Sequence, residues 1–272
     1  MKLLVNGRTA YAYTGGKPLD TTLPAVVMVH GAMNDHSVWI QQSRYLAHHG
    51  MAVLAVDLPA HGRSEGPPVG IEAAADWLVA LLDAAGVGDV ALVGHSMGSL
   101  VALEAAARLG ARARHLAMVG TAYPMKVSPA LLELCRSDVL QAIHLVAALS
   151  HSTHAPKPSS PGPGFSTHGG ARALMRRMQR GWTEGNLFEH DFLACDRYDG
   201  LPAAAARVAG PVTLMLGSAD QMTSPKAVAP VLQALKPEVV RLVSGHNMMG
   251  EAPDALLQAL CKVLSPRPSA QA

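Results

Sequence analysis

The chain has 272 residues, of which 49% are hydrophobic and 15% are charged, and its formal net charge is +2. These values exclude a disordered chain and give no reason to expect nucleic acid or an anionic membrane as a partner. No apolar run approaches the ~18 residues of a membrane-spanning helix, the amino-terminal apolar stretch is too short for a signal peptide, and the cysteines are few and scattered, so we expect a cytoplasmic protein with free thiols.

The first part of the chain predicts strands that alternate with helices. Asn6-Gly7 is a hairpin turn signal between two short strands, 3–5 and 9–13. Continuous apolar runs, which are typical of strands buried on both faces, follow at 25–29, 51–56, 90–93 and 115–119. Helical patterns lie between them at 37–49 and 71–85, and another begins at residue 100. This alternation predicts an α/β fold with a doubly wound, mostly parallel sheet.

The alternation stops after Gly120. Helices are predicted over 128–150, with Ser128-Pro129 as the N-cap and first-turn pair, and over 170–180 and 187–194. Between them, residues 151–164 are rich in Pro, Gly and Ser and predict a mobile loop. A helical insertion between strands indicates a lid over the carboxyl edge of the sheet.

The alternation resumes near the carboxyl terminus. Strands are predicted at 212–216 and 239–243, helices at 225–235 and 254–264, and a frayed tail at 265–272. The chain therefore divides into a first core part, 1–120, a helical cap, 121–205, and a second core part, 206–272.

A Gly-x-Ser-x-Gly motif, Gly94 to Gly98, lies between a predicted strand and a predicted helix. A strand that turns into a helix within three residues forms a tight, strained bend, and the two glycines let neighbouring backbone pass close by. Such a bend exposes the Ser96 hydroxyl at the carboxyl end of the strand. The motif predicts a nucleophile elbow, and the alternative is a chance occurrence in an ordinary turn.

Two more strand ends carry side chains that serve the same chemistry. Asp220 follows the strand 212–216, and His246 follows the strand 239–243. Ligand sites of parallel sheets lie at this edge. A serine hydroxyl needs an imidazole to take its proton, and a buried carboxylate fixes the tautomer of that imidazole. We predict Ser96 as nucleophile, His246 as base and Asp220 as the orienting carboxylate; the alternatives are a loop-capping aspartate and an ordinary surface histidine.

A predicted oxyanion hole completes this constellation. His30-Gly31-Ala32 follows the strand 25–29, so the Ala32 amide is expected to point at the same space as the Met97 amide. Two such donors stabilise the negative charge of a tetrahedral intermediate. We expect His30 itself to be a structural histidine.

Together these motifs resemble the α/β-hydrolase superfamily, in its serine-esterase-like branch with a helical cap. The motifs are His30-Gly31, Asp57 to Ser64, Gly94 to Gly98, Gly217 to Asp220 and Gly245-His246. The resemblance covers residues 1–120 and 206–264 and implies an eight-stranded, mostly parallel sheet with a cap inserted after the sixth strand. Ala60 stands where the family commonly has glycine, and we expect Asp57 to organise its loop.

The resemblance narrows the reaction without identifying the substrate. Ser96 argues against the dehalogenase and epoxide hydrolase branches, which use a carboxylate, and His95 stands where carbon–carbon bond hydrolases commonly carry Asn. Gln221 stands where plant hydroxynitrile lyases carry lysine. We expect a serine hydrolase that cleaves a carboxylic ester of a small to medium apolar substrate through an acyl-enzyme. A lactonase, an amide or carbon–carbon bond hydrolase, a lyase or cofactor-free oxidative enzyme, and a non-catalytic ligand-binding receptor stay open.

Four residues are expected to contact the substrate: Met33, Tyr123, Met248 and Met249. Methionine suits small to medium apolar acyl groups, although these residues would equally serve as core. No metal is expected, because the 13 histidines are scattered without a His-Glu-x-x-His or Cys-x-x-Cys spacing. No cofactor is expected either. The expected partner is a small-molecule ester, and the sequence leaves the oligomeric state undetermined.

Overall fold

A computed structural model of the chain describes residues 1–152 and 166–264. The predicted mobile loop 151–164 lies outside the described residues from position 153 onward. The predicted tail 265–272 lies wholly outside them.

The core of the molecule is one eight-stranded sheet. Its strands are β1 (Lys2–Val5), β2 (Arg8–Tyr13), β3 (Ala25–Val29), β4 (Ala52–Val56), β5 (Val90–His95), β6 (Ala113–Val119), β7 (Val212–Gly217) and β8 (Glu238–Leu242). They are ordered β1-β2-β4-β3-β5-β6-β7-β8 across the sheet. The β1–β2 and β2–β4 pairs are antiparallel, whereas the pairs from β4 across to β8 are parallel. The predicted fold class is confirmed.

Helices cover both faces of this sheet. The α-helices of the described residues are α1 (Ile40–His48), α2 (Ile71–Ala84), α3 (Met97–Leu109), α4 (Pro129–Ser137), α5 (Val139–Leu149), α6 (Thr167–Gly181), α7 (Leu187–Arg197), α8 (Leu201–Ala205), α9 (Ala229–Leu235), α10 (Met248–Glu251) and α11 (Pro253–Leu264). Val27 and Val29 of β3 pack with α2 and α3, whereas Val26 and Met28 pack with α1 and α11. This alternation explains why β3 reads as a continuous apolar run, since both of its faces are buried.

Helices α4 to α8, which we call the inserted helices, lie between β6 and β7 in the sequence. The helix predicted over 128–150 is in fact two helices, because the Asp138 side chain accepts hydrogen bonds from the Leu140 and Gln141 amides at 3.1 Å and caps a new helix there. The short helices α8 and α10 were not predicted. The division of the chain into core and cap at residues 120 and 205 stays a prediction.

Two predictions about the chain as a whole can be compared with the described residues. None of their helices combines the length with the apolar composition that crossing a lipid bilayer requires. Cys135 and Cys195 are free thiols, as expected.

Candidate active site

Ser96 lies on a strained bend between a strand and a helix. β5 ends at His95 and α3 begins at Met97, so the turn is made by Ser96 alone. Its φ is +52°, a left-handed value that non-glycine residues rarely adopt. The Ser96 amide donates to the Val119 carbonyl at 2.9 Å, which anchors the bend to β6. Strained residues of this kind persist only where their surroundings hold them, and they cluster at functional sites.

The glycines of the motif are required by close backbone approach. A Cβ atom on Gly94 would lie 2.1 Å from the Gly98 carbonyl oxygen. A Cβ atom on Gly98 would lie 2.3 Å from the His30 carbonyl oxygen. Both distances are far below van der Waals contact. Glycine at position 94 is therefore required for α3 to begin so close to β5, and glycine at position 98 is required for the bend to pack against the end of β3.

His246 and Asp220 form the buried pair that the sequence predicts. His246 Nδ1 lies 2.8 Å from Asp220 Oδ2, and the Thr223 hydroxyl donates to the same oxygen at 2.8 Å. The Met222 and Thr223 amides donate to Oδ1, each at 2.8 Å. Burial alone would raise the pKa of Asp220, but the His246 ring and these donors outweigh it and hold the pKa below its usual value. Asp220 is therefore an ionised acceptor.

This pairing assigns the histidine tautomer. A carboxylate only accepts, so the proton of neutral His246 lies on Nδ1 and Nε2 keeps a free lone pair. Ser96 and His246 line the same cavity. The Ser96 hydroxyl makes no hydrogen bond to a described residue, His246 included. In substrate-free sites such bonds commonly form only once the reactant is bound.

The backbone amides of Ala32 and Met97 fit an oxyanion hole. Met97 is the first residue of α3, where an amide has no partner within the helix. Neither amide donates a hydrogen bond to another described residue. Ala32 lies in a turn closed by the Asn34 amide, which donates to the Gly31 carbonyl at 3.3 Å. Two unpaired donors are therefore close to the nucleophile, Met97 as its neighbour in the sequence and Ala32 as a residue that lines the same cavity.

A cavity of about 530 Å³ lies between the sheet edge and the inserted helices. On the sheet side it is lined by Gly31, Ala32, His95, Ser96 and His246. The inserted helices contribute mainly apolar side chains, which are Leu131, Val146, Leu149, Leu174, Met175 and Phe192. A ligand in this cavity could contact Ser96 and the apolar side chains of the inserted helices at the same time.

The four residues predicted to contact the substrate have different surroundings in the structure. Met249 lines the cavity. Met33 and Met248 are wholly buried in apolar clusters, Met33 beneath the inserted helices and Met248 against the sheet. The Tyr123 hydroxyl donates to the Asp199 carbonyl at 2.8 Å, and Tyr123 is not among the lining residues. Substrate contact therefore stays a prediction for all four residues, of which Met249 is the one found among the described lining residues.

The loop that carries His246 is tied to the end of α5, which the sequence did not reveal. The Asn247 amide donates to the Ser150 carbonyl at 2.8 Å. Glu251 Oε1 accepts from the Ser152 amide and hydroxyl at 2.9 Å, and Oε2 accepts from the Gly245 amide. Ser152 and Glu251 are 99 residues apart, so no local pattern signals the contact. The asparagine that caps α10 could have revealed that helix, since its side chain accepts from Gly250.

His30 has the structural role expected of it. Its Nδ1 donates to the Gly31 carbonyl at 2.8 Å, and its Nε2 accepts from the Leu58 amide at 3.1 Å. Burial lowers the pKa of His30 to about 4, so the ring is neutral near pH 7. It joins the end of β3 to the loop after β4.

Asp35, His36 and Asp57 offer ligand atoms within 4.8 Å of one another, a group that could hold a metal ion. Asp57 Oδ1 accepts from the His36 amide at 2.7 Å and Oδ2 from the Arg63 amide at 2.9 Å. Asp35 Oδ1 accepts from the Ser37 amide at 2.9 Å, and Oδ2 pairs with Arg177 at 2.6 Å. Because each carboxylate oxygen already has a protein donor, we assign the group to loop structure.

Residues 24–253 match a family model described as alpha/beta hydrolase fold. The solved esterase EaEST from Exiguobacterium antarcticum is similar over 98% of this chain and 99% of its own, with a TM-score of 0.79 and 18% identity. At that identity the likeness concerns the fold.

Two curated relatives match parts of the sequence. A hydrolase of (E)-2-((N-methylformamido)methylene)succinate from Acinetobacter baylyi is 26% identical over 144 residues, which are 52% of this chain and 52% of the relative. Lipase LipV from Mycobacterium tuberculosis is 41% identical over 85 residues, which are 30% of this chain and 31% of the lipase. The chain thus spans about half the length of the first relative and about a third of the second.

Proposed function

The chain belongs to the α/β-hydrolase fold family, and on that premise we propose that it is a serine hydrolase that cleaves a carboxylic ester of a small to medium apolar substrate through an acyl-enzyme. The observation that carries the proposal is the buried His246–Asp220 pair, whose imidazole lines the same cavity as Ser96. Ser96 is the nucleophile, His246 the base and then the acid, and Asp220 the orienting carboxylate. A chance motif in an ordinary turn would not combine a strained serine with an imidazole that is hydrogen-bonded to a buried carboxylate at the same sheet edge.

Acylation begins when His246 Nε2 takes the Ser96 hydroxyl proton as Oγ bonds to the carbonyl carbon of the ester. The carbonyl electron pair moves to oxygen, and the Ala32 and Met97 amides donate to that oxyanion. Asp220 stabilises the imidazolium that forms. When the intermediate collapses, the bond to the leaving oxygen breaks and the imidazolium gives its proton to the departing alcohol.

Deacylation repeats these steps with water. His246 Nε2 accepts a proton from the water, whose oxygen bonds to the acyl carbon, and the oxyanion again lies in the same hole. Collapse breaks the bond to Ser96 Oγ and returns the proton to the serine. The products are a carboxylic acid and an alcohol, and the enzyme regains its starting protonation state.

The charge of the cavity favours an uncharged substrate. Lys126 is the one lysine or arginine among the described lining residues, and its Nζ already donates to the Asp196 carbonyl at 2.6 Å. A carboxylate buried among apolar side chains needs a cationic or hydrogen-bonding partner. The Acinetobacter baylyi relative is named for a succinate. For this chain we propose a neutral ester, with the acyl group against the apolar inserted helices.

Labelling with a fluorophosphonate probe tests the proposal. We expect a covalent adduct on Ser96 in the wild type, none in Ser96→Ala, and hydrolysis of short p-nitrophenyl esters that Ser96→Ala loses almost completely. Absence of an adduct in the folded wild type would refute the serine hydrolase and favour a ligand-binding receptor. Turnover of a panel of neutral esters, carboxylate-bearing esters, lactones and amides then ranks the substrate classes. Faster turnover of the carboxylate-bearing esters would refute the proposed neutral substrate.

A further inference from the structure

A buried carboxylate of α7 reaches the loop that carries the oxyanion donor. Asp191 is 2% exposed, and its Oδ2 accepts from the Met33 amide at 2.8 Å. The same oxygen lies 2.9 Å from His61 Nε2, while Oδ1 lies 3.7 Å from His190 Nδ1. Met33 and Asp191 are 158 residues apart, so this single oxygen joins the inserted helices to the end of β3.

The Met33 amide is a position where the backbone needs outside support. Met33 is the third residue of the turn that runs from Gly31 to Asn34, and its φ is +59°. Gly or Asn is favoured at a left-handed position of this kind, and methionine there is strained. Because Met33 follows Ala32 directly, its amide shares a peptide plane with the Ala32 carbonyl. Fixing that plane restrains, through the Ala32 Cα atom, the preceding plane that carries the Ala32 amide. A misplaced Ala32 would misdirect one of the two oxyanion donors.

The partner of Asp191 is a doubly protonated histidine. His61 Nδ1 lies 2.9 Å from the Pro59 carbonyl and Nε2 lies against the Asp191 carboxylate, and both of these groups only accept hydrogen bonds. Each ring nitrogen must therefore carry a proton. Burial alone would lower the pKa of His61, but the Asp191 charge outweighs it and raises the pKa above its ordinary value.

The surroundings of His61 agree with that assignment. The neutral His30 ring, just after β3, has its centroid 4.9 Å away, so it adds no full positive charge. Asp57, in the loop after β4, is a second negative charge that raises the pKa of His61. On α7, His190 lies next to Asp191 and is the other titratable group beside the pair. Burial would raise the pKa of Asp191, yet His61 and the Met33 amide hold it well below its usual range.

We propose that Asp191 is a positioning residue for the oxyanion hole, and that protonated His61 is the counterion that keeps it ionised. The proposal rests on the hydrolase function proposed above. It means that the oxyanion hole of this chain is completed by an inserted helix rather than by the sheet alone. Turnover should therefore depend on a charge pair that contacts neither Ser96 nor His246.

Substitution at Asp191 tests the positioning role. We expect Asp191→Ala to lower kcat for a p-nitrophenyl ester about 100-fold and Asp191→Asn about 10-fold, with KM within about twofold, since loss of one oxyanion donor costs about 10²- to 10³-fold. Asp191→Asn keeps an acceptor for the Met33 amide and remains informative if the alanine variant does not fold. Glu189→Ala is the matched control, because Glu189 lies on the same helix and pairs with exposed Arg136.

A trifluoromethyl ketone separates positioning from a general structural role. Its adduct with Ser96 carries an oxyanion, so its affinity should fall in parallel with kcat, whereas a neutral alkane diol that fills the cavity should bind each variant equally. The proposal is overturned if both Asp191 variants keep wild-type kcat, or if kcat falls while ketone affinity does not.

Histidine ring ¹⁵N NMR reports on the pair without any turnover. Both His61 ring nitrogens should be protonated at pH 7 in the wild type, and one should lose its proton in Asp191→Asn. A neutral His61 in the wild type would overturn the counterion assignment. Absence of any Ser96 adduct would instead refute the hydrolase and with it the positioning role, while the NMR signals would still show whether the pair exists.

Discussion

The two halves of the candidate site are built in different ways. Ser96, Asp220 and His246 stand at the carboxyl ends of β5, β7 and β8, so the parallel sheet itself brings them to one edge. The oxyanion loop, residues 31–37, is bonded to the inserted helices at two points. Asp191 accepts from the Met33 amide, and Arg177 donates to the Asp35 carboxylate. The sheet thus positions the reactive groups, which we call the sheet-held half. The alignment of one oxyanion donor depends instead on contacts with the inserted helices, and we call the oxyanion loop the insert-held half.

The largest expected effect lies in the sheet-held half. We expect Asp220→Asn to lower kcat for esters by about 10⁴-fold, because the amide no longer enforces the tautomer that leaves Nε2 free. The unfolding midpoint should change little, since an asparagine oxygen still accepts from the Met222 and Thr223 amides. Steady-state turnover with thermal unfolding as the control measures both, and a loss smaller than about tenfold would refute the triad role.

A substitution where the two halves meet should affect stability and activity together. Gly98→Ala would bring a Cβ atom to 2.3 Å from the His30 carbonyl and 2.6 Å from the Val29 carbonyl. We expect the free energy of unfolding to fall by about 1–3 kcal/mol and kcat by about 10²-fold, since the elbow must move away from β3. Gly170→Ala is the control for stability alone, because that helical position has open space and alanine favours helix, whereas Gly170 also lines the cavity. Equal stability of the two variants, measured by urea unfolding, would contradict the packing described here.

The free energy of unfolding should depend on pH through the His61–Asp191 pair, which belongs to the insert-held half alone. The folded pKa of His61 is raised, so its stabilisation is fully present below about pH 6.5, its unfolded pKa, and is lost as the pH rises through the folded value. Each pH unit between the two pKa values lowers the free energy of unfolding by up to about 1.4 kcal/mol. Urea unfolding from pH 6 to 9 should show this slope in the wild type and a weaker one in Asp191→Asn. Superimposable curves would argue against the charge pair.

The smallest effect is expected at the exposed contact of the same half. Arg177 is 61% exposed where it pairs with the buried Asp35 side chain. Asp35 keeps the Ser37 amide and hydroxyl as donors without it, and a solvent-exposed partner of this kind contributes about 0–1 kcal/mol. Arg177→Gln should leave kcat within about twofold and lower the free energy of unfolding by less than about 1 kcal/mol. A tenfold loss of kcat would mean that the loop is held through this pair rather than through Asp191.

The sequence predicted the sheet-held half because its signals are local. An apolar run, a turn motif and a polar residue just past a strand end identify Ser96, Asp220 and His246 without any knowledge of distant contacts. The break at Asp138 was missed because its neighbours continue a helical pattern. The packing of Met33 and Met248 in apolar clusters was not predicted, since periodicity does not show which way a side chain points after the end of a strand.

The role of Asp191 could not be predicted from the sequence, for a different reason. An aspartate within a helix has no neighbour in the sequence that indicates a partner, and His61 and Met33 are themselves in loops. Only the packing of α7 against the sheet edge creates a pair that is buried and charged. Functional groups that depend on such packing leave no local pattern.

The left-handed Met33 has a consequence for exchanging parts between relatives. A chimera that replaces the inserted helices with those of another family member removes the acceptor of the Met33 amide and leaves His61 buried without its counterion. The graft would then change the oxyanion loop as well as the specificity it was meant to transfer. A donor segment therefore has to be transplanted together with its own residues at positions 31–37 and 61, as one inherited unit.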